Sequence, residues 1–398
     1  MKYNTATLDN GLRAIHCPSA SPVVYCGYEV CAGTRDEKEG EEGMAHFCEH
    51  TTFKGTRHRS AMQILNRLES VGGDLNAFTN KEDTVYYSAI LKNHFPRAVD
   101  LLTDIVFGST YPQAEIDKEV EVICDEIESY NDSPAELIFD DFENAIFAGH
   151  PLGHNILGSA DTLRTYTTAD ALRFTQRYYR PENTVFFVYG DVDFKSVVRQ
   201  LKRATSAFPA AQPLIDVTPS ITLPPYQPQH IVHDKGTHQA HVMVGNRAYS
   251  AHDNHRLPLY LLNNILGGPG MNARLNISLR ERNALVYTVE SSTYFGCDPK
   301  DVKKCLRLVR RELDRVMDRP LSESQLKAAK RQIKGQIGVA CDNRESFALD
   351  FGKAFLHYGW LKDVEKLMAD IDNVTAREIQ QAALDIFDPD RMTTLIYE

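Results

Sequence analysis

His46-Phe47-Cys48-Glu49-His50 sets two imidazoles four residues apart with a carboxylate between them. On a helix, residues three and four apart are surface neighbours, so positions 46, 49 and 50 share one face. Two neutral imidazoles on one face can hold a Zn²⁺ ion, and a carboxylate beside the metal can act as general base toward its water. The order is the reverse of the commoner H-E-x-x-H. The chain has 14 histidines, so five residues alone are only a hypothesis, with a helix bearing two ordinary surface imidazoles as the alternative.

The flanking sequence gives this stretch a local setting. Glu37, Glu39, Glu41 and Glu42 precede it, and acids favour a helix N-terminus. Met44, Phe47 and Cys48 point away from the imidazole face and are expected to pack inward, with Gly55 as the helix stop. Ser60 and Gln63 form a capping box for a second helix whose apolar stripe is Ile64, Leu65, Leu68 and Val71, ended by Gly72-Gly73. Leu75–Thr79 and Thr84–Leu91 read as a hairpin. Glu115–Tyr130 reads as a helix that buries Ile116, Val120, Ile123 and Ile127. A hydrolytic zinc site needs a third protein ligand and an open fourth position. The acids of that helix, Glu119, Glu121, Asp125, Glu126 and Glu128, are candidates, and composition does not choose among them.

At 398 residues the chain is long for one domain. Prolines 209, 213, 219, 224, 225 and 228 mark a semi-rigid linker, giving halves at 1–210 and 229–398 joined by 211–228. Each half opens with a strand-like stretch, Leu12–Val30 and Gln239–Arg247, and each has a β-rich segment, Val85-Tyr86-Tyr87 and Val286-Tyr287-Thr288, followed by a helix. The class is α+β, and this pattern leaves an internal duplication open. A net charge of −10 without a Lys/Arg run argues against nucleic-acid binding. No apolar run is long enough for a membrane span, the N-terminus lacks a signal-peptide pattern, and eight cysteines occur without a C-x-x-C. A cytoplasmic location is the expectation.

Further motifs carry a resemblance. Ala45-His46-Phe47-Cys48-Glu49-His50-Thr51-Thr52-Phe53-Lys54-Gly55-Thr56 is close to H-F-x-E-H-x-x-F-K-G-T. Gly72-Gly73 with Asn76-Ala77-Phe78-Thr79, the block Val122–Ile127, Tyr178–Asn183 leading into Thr184–Tyr189, the turn Leu266–Leu275 and the block Leu279–Tyr287 follow in order. Together they resemble the pitrilysin/insulinase family of zinc peptidases, the inverzincins, and in particular its short members akin to mitochondrial processing peptidase. Two departures are Ala284, where a Gly is usual, and Pro269 in the glycine turn.

The resemblance implies two homologous domains, each a mainly antiparallel sheet packed with helices as in processing-peptidase and LuxS-like folds. It implies one Zn²⁺ per chain on His46, His50 and Glu126, Glu49 as the base, and Glu119 as a supporting acid. It assigns Asn76, Ala77, Phe78 and Thr79 to an edge strand that receives an extended peptide, and Arg280 and Tyr287 to the substrate near the scissile carbonyl. Since the family chamber has four such domains, it also implies a homodimeric clamshell that cuts unfolded peptides, with Arg280 and Tyr287 completing the partner's site. The rival readings are a non-catalytic scaffold subunit and a zinc hydrolase of a non-peptide substrate. His230, His233, His238 and His241 crowd within twelve residues, but their spacing fits neither one helix face nor strand alternation.

Overall fold

The computed structural model describes residues 2–214, 222–289 and 293–398, with the side chains of Tyr287 and Thr288 outside that description. Part of the Pro-rich stretch, 215–221, therefore lies outside the described residues.

β1 (Asn4–Thr7), β2 (Arg13–Pro18), β3 (Val23–Val30), β4 (Asp74–Thr79), β5 (Thr84–Leu91) and β6 (Thr184–Gly190) form one sheet in the order β1-β2-β6-β3-β5-β4. The β2–β6 pair is parallel and the others are antiparallel. β3 and β6 are nearly continuous apolar runs and are buried almost throughout, as strands covered on both faces must be. Adjacent residues of a strand point to opposite faces, and β3 meets a helix on each. The Tyr28 hydroxyl lies 2.9 Å from the Thr103 hydroxyl on one side. On the other, Glu29 lies so close to Gly352 of helix Arg344–Tyr358 that a Cβ there would sit 2.6 Å from its carboxylate oxygen.

The sequence-predicted elements around the histidine motif form with small shifts. α1 (Met44–Thr52) buries Met44, Phe47 and Cys48 as expected, and it ends at Phe53 before Gly55 is reached. Of the four acids ahead of it, Glu37 caps it: its two carboxylate oxygens accept the Gly43 and Ala45 N–H groups at 3.0 and 2.9 Å. Glu41 instead pairs with Arg177. α2 (Ala61–Glu69) has the Ser60/Gln63 capping box and buries Ile64 and Leu68, while Leu65 faces solvent because it falls a third of a turn off that stripe. α3 (Phe95–Gly108) carries Thr103 and packs on β3 and β5. β4 and β5 pair from Asp74↔Ala89 to Thr79↔Thr84, the expected hairpin, and β4 is one of the sheet's two edge strands. α4 (Gln113–Asn131) buries Ile116, Val120 and Ile123, leaves Ile127 half-buried, and adds Glu119 to the buried set. α5 (Pro134–Ile146) follows it.

β7 (His230–His233), β8 (Ala240–Gly245), β9 (Val286–Val289), β10 (Tyr294–Cys297) and β11 (Thr393–Tyr397) form the other sheet in the order β7-β11-β8-β10-β9. β7–β11 is parallel and the remaining pairs are antiparallel. Matching β2, β6, β3, β5 and β4 to β7, β11, β8, β10 and β9 reproduces every pairing and its direction, with β1 as the one addition. The fold is thus two mainly antiparallel sheets of one plan, each with its own helices. Ala284, at the position where a Gly is usual, holds φ +50 and so keeps the left-handed turn that leads into β9.

By compactness the chain divides into a first unit of Met1–Glu128, His154–Ile221 and Ala340–Asp363 and a second of Ser129–Gly153, Thr222–Val339 and Val364–Glu398. A cut at 211–228 divides the chain in sequence, while packing assigns helix Arg344–Tyr358 to the first unit and α5 to the second. α5 packs on β8 and β11 through Leu137, Ile138, Phe142 and Ile146. No described helix is long and apolar enough to cross a membrane.

Gly43 enters α1 at φ +85, and a Cβ there would lie 2.8 Å from the Leu157 carbonyl oxygen and 2.9 Å from the Gly158 Cα. The Gly43→Ala protein is therefore expected to lose about 2–4 kcal/mol of stability, from left-handed strain plus backbone overpacking. Chemical denaturation measures this, and a loss below about 0.5 kcal/mol, the scatter of ordinary surface changes, contradicts it.

Candidate metal centre

α1 has seven of its nine residues buried, which prevents it from rolling on the sheet. What it turns toward α4 is the face bearing His46 and His50. Their rings lie 4.5 Å apart in an edge-on arrangement. Glu126 Oε2 lies 3.4 Å from His50 Nε2 and 3.9 Å from His46 Nε2. These separations are long for hydrogen bonds but close to the edge of a tetrahedron, about 3.3 Å for metal bonds of about 2.0–2.1 Å. Among the described residues, His46, His50 and Glu126 are the one group of three such side chains whose ligand atoms converge, all within 4.8 Å. Two imidazoles and one carboxylate, with solvent on the Glu126 side, are the donor set of a zinc site with an open position.

The structure separates the acids of α4. Glu121 is held by Arg164 through two hydrogen bonds of 3.2 and 3.1 Å, away from the imidazoles. Glu126 converges on the histidines. Glu119, two turns earlier, is buried and lies 3.1 Å from His50 Nδ1, and its other oxygen lies 2.6 Å from Lys54 Nζ. Burial pushes the Glu119 carboxyl up, but the hydrogen bonds to His50 and Lys54 outweigh it and hold it below its ordinary value. An ionised Glu119 accepts the Nδ1 proton of His50 and so leaves Nε2 as a lone-pair donor facing Glu126.

The two imidazoles are tuned differently. Burial, with His50 adding to it, pushes His46 down to about 3, so it stays neutral and able to ligate. Burial also lowers His50, but the Glu119 hydrogen bond and the carboxylates of Glu49, Glu126 and Glu119 outweigh it and raise this ring. Glu49 is raised by burial and by Glu126, against the Thr79 hydrogen bond and His50. Thr79 Oγ1 donates to Glu49 Oε2 at 2.7 Å. A carboxylate held on one oxygen, next to a metal-type donor set and with a raised proton affinity, suits a general base.

The remaining expected residues fall in two places. Asn76, Ala77 and Phe78 lie on edge strand β4, paired to Tyr87, Tyr86 and Val85 on one side only. Thr79 ends that strand but is buried, and its hydroxyl serves Glu49. Arg280 and Tyr287 belong to the second unit: Arg280 on the turn Asn276–Glu281, half-exposed, and Tyr287 on β9, its side chain outside the described residues. The crowded histidines yield no convergent donor set; His230 and His233 lie on β7 and His241 on β8, where its Nδ1 meets the Tyr294 hydroxyl at 3.0 Å. Sequence reasoning missed the roles of Lys54 and Glu37. Lys54 lies just past the end of α1, so helical spacing gave no signal for it.

Comparison with known proteins gives the chain's family and fold. Residues 15–160 match the family model described as insulinase (peptidase family M16), and residues 165–333 match the one described as the peptidase M16 inactive domain. An uncharacterized zinc protease of Streptomyces coelicolor is 33% identical over 398 residues, covering 96% of this chain and 86% of the relative. Another, of Rickettsia bellii, is 31% identical, covering 99% and 97%. Among solved structures, a protease from Helicobacter pylori superposes with a TM-score of 0.88 at 20% identity, covering 100% of this chain and 99% of that one, which speaks for the fold.

Removing the Glu119 carboxylate tests its hold on His50. Glu119→Ala is expected to weaken zinc binding about 10–100-fold, as loss of such outer partners does. Competition with a chromophoric chelator reads this, and an unchanged affinity rules out the orienting role.

Proposed function

The chain belongs to the insulinase (M16) family of peptidases, and from that membership together with the His46–His50–Glu126 donor set we propose that it is a zinc-dependent endopeptidase acting on unfolded peptides. The single observation that carries the reading is the convergence of these three donors, with Glu49 on the helix that bears His46 and His50. A zinc ion held by them would supply Lewis acidity toward the peptide carbonyl and acidify its water.

The protein's own groups supply the rest. Glu49 takes up the proton of the attacking water and returns it to the leaving amine. Thr79 holds one Glu49 oxygen, so the other is directed at the reacting atoms. Glu119 and Lys54 keep His50 in one tautomer. Strand β4, with Asn76–Phe78, offers unpaired main-chain groups along its free edge, where an extended peptide can add as a further strand. Recognition through main-chain hydrogen bonds has little sequence preference and excludes folded segments.

Arg280 and Tyr287 are assigned to the oxyanion that develops on the attacked carbonyl, the interaction that usually contributes most to such a reaction. They are carried by the second unit, and we assign them across a homodimer, each subunit completing the partner's site.

Two outcomes follow. Glu49→Gln retains zinc but loses about 10²–10⁴ in peptide hydrolysis, read with a quenched unfolded peptide; metal-loaded wild-type protein that cuts no peptide refutes the peptidase assignment. Mixing Glu49→Gln with Tyr287→Phe, each inactive alone, restores activity in mixed dimers if sites are shared. Activity that never returns on mixing, with mixed dimers verified, rules out the shared site and leaves the zinc chemistry standing.

A further inference from the structure

The second unit contains a pocket that peptide hydrolysis does not use. Its volume is about 490 Å³, and its wall includes four guanidinium groups, Arg274, Arg282, Arg315 and Arg319. Glu312 is the one acid among the lining residues; it is buried and engaged by Arg315 at 2.6 Å. Among the described residues, the guanidinium groups of Arg274, Arg282 and Arg319 make no hydrogen bond or ion pair. Ser278 lines the same pocket and is 2% exposed, and its hydroxyl is buried without a hydrogen-bond partner.

A packing role does not account for this arrangement. Guanidinium groups repel one another, and Arg274, half-buried where Arg282 and Arg319 are exposed, carries a desolvation cost as well. At Arg274, burial disfavours the charged form; Glu312 partly offsets that and Arg315 adds to it. A buried hydroxyl without a partner is similarly costly. One kind of ligand removes all of these costs at once: an anion with several oxygens that accept in more than one direction. Guanidinium forks match phosphoryl oxygens in pairs, and the hydroxyl of Ser278 supplies a further donor. A carboxylate brings a single charge and two oxygens to three unpaired cations, whereas a phosphomonoester brings nearly two charges and three oxygens. The pocket volume exceeds what a phosphoryl group needs and lies in the range of small-molecule sites.

We propose that this pocket binds a phosphorylated small molecule, with Arg274, Arg282, Arg319 and Ser278 receiving the phosphoryl group. The site shares the turn Asn276–Glu281 with Arg280, but the proposal concerns binding and stands whether or not the chain hydrolyses peptides.

Calorimetric titration of the full chain at low salt with glucose 6-phosphate is the test, with glucuronate as the matched sugar carboxylate. Saturable binding is expected, competed by inorganic phosphate. Glucuronate should bind about tenfold more weakly or worse, the factor expected for lost charge-assisted hydrogen bonds. Arg319→Gln and Arg282→Gln, both toward the pocket rim, should each weaken it about tenfold, and Ser278→Ala should weaken it with the thermal transition unchanged. Absence of saturable binding, equal binding of glucuronate, or binding unaffected in both arginine variants overturns the proposal.

Discussion

The burial of α1 against the first sheet is the constraint from which the rest of the site follows. Only Glu49 and His50 of its nine residues escape full burial. A helix held on so many sides has one orientation, and apart from His46 Nδ1, which is buried without a partner, its polar side chains are met locally. Thr51 and Thr52 turn back onto the Phe47 and Cys48 carbonyls at 2.7 Å each. Glu37 closes the N-terminus. His50 is met by Glu119, and Glu49 by Thr79. The histidines are left with their Nε2 atoms toward Glu126 and little freedom to turn elsewhere. That is pre-organisation in the physical sense: the two imidazoles are placed by packing, and metal binding need not order them.

Much of this was readable in the chain because it depends on local rules. The 46–50 spacing, the Ser60/Gln63 box, the β4–β5 hairpin and the apolar stripe of α4 each follow from neighbours within a few residues. What was not readable depends on packing between distant segments. Five acids on α4 look alike by composition; only the docking of α4 against α1 gives Glu119 to His50 and Glu121 to Arg164. Thr79 was expected on the peptide-binding edge, and nothing local reveals that its hydroxyl turns to Glu49. Nothing local to Phe347 and Phe351 reveals that they pack on Phe187 and Tyr189 of the first sheet, far back along the chain. Motif resemblance bridged the first of these gaps and left the other two.

The shared strand plan gives the chain's asymmetry a simple description. In the second sheet the helix between β8 and β9, Arg256–Gly267, occupies the place that α1 holds between β3 and β4. It presents Leu259, Leu261, Leu262 and Leu266 to its core and carries no histidine or acid. One scaffold thus appears twice, with a donor set on one copy. The second copy places its polar chemistry elsewhere, at Arg280 and in the arginine-lined pocket beside it. Function here resides in the side chains placed on the scaffold rather than in the scaffold itself.

The account rests on His46, His50 and Glu126 as the metal ligands, and X-ray absorption at the zinc edge addresses that most directly. Zinc-loaded protein should give two imidazole nitrogens at about 2.0–2.1 Å with oxygen scatterers beside them and no sulfur. The imidazole signal should fall in His46→Ala, and tight zinc binding should be lost with it. A sulfur shell at about 2.3 Å, or an unchanged spectrum in His46→Ala, places the metal elsewhere and contradicts the account.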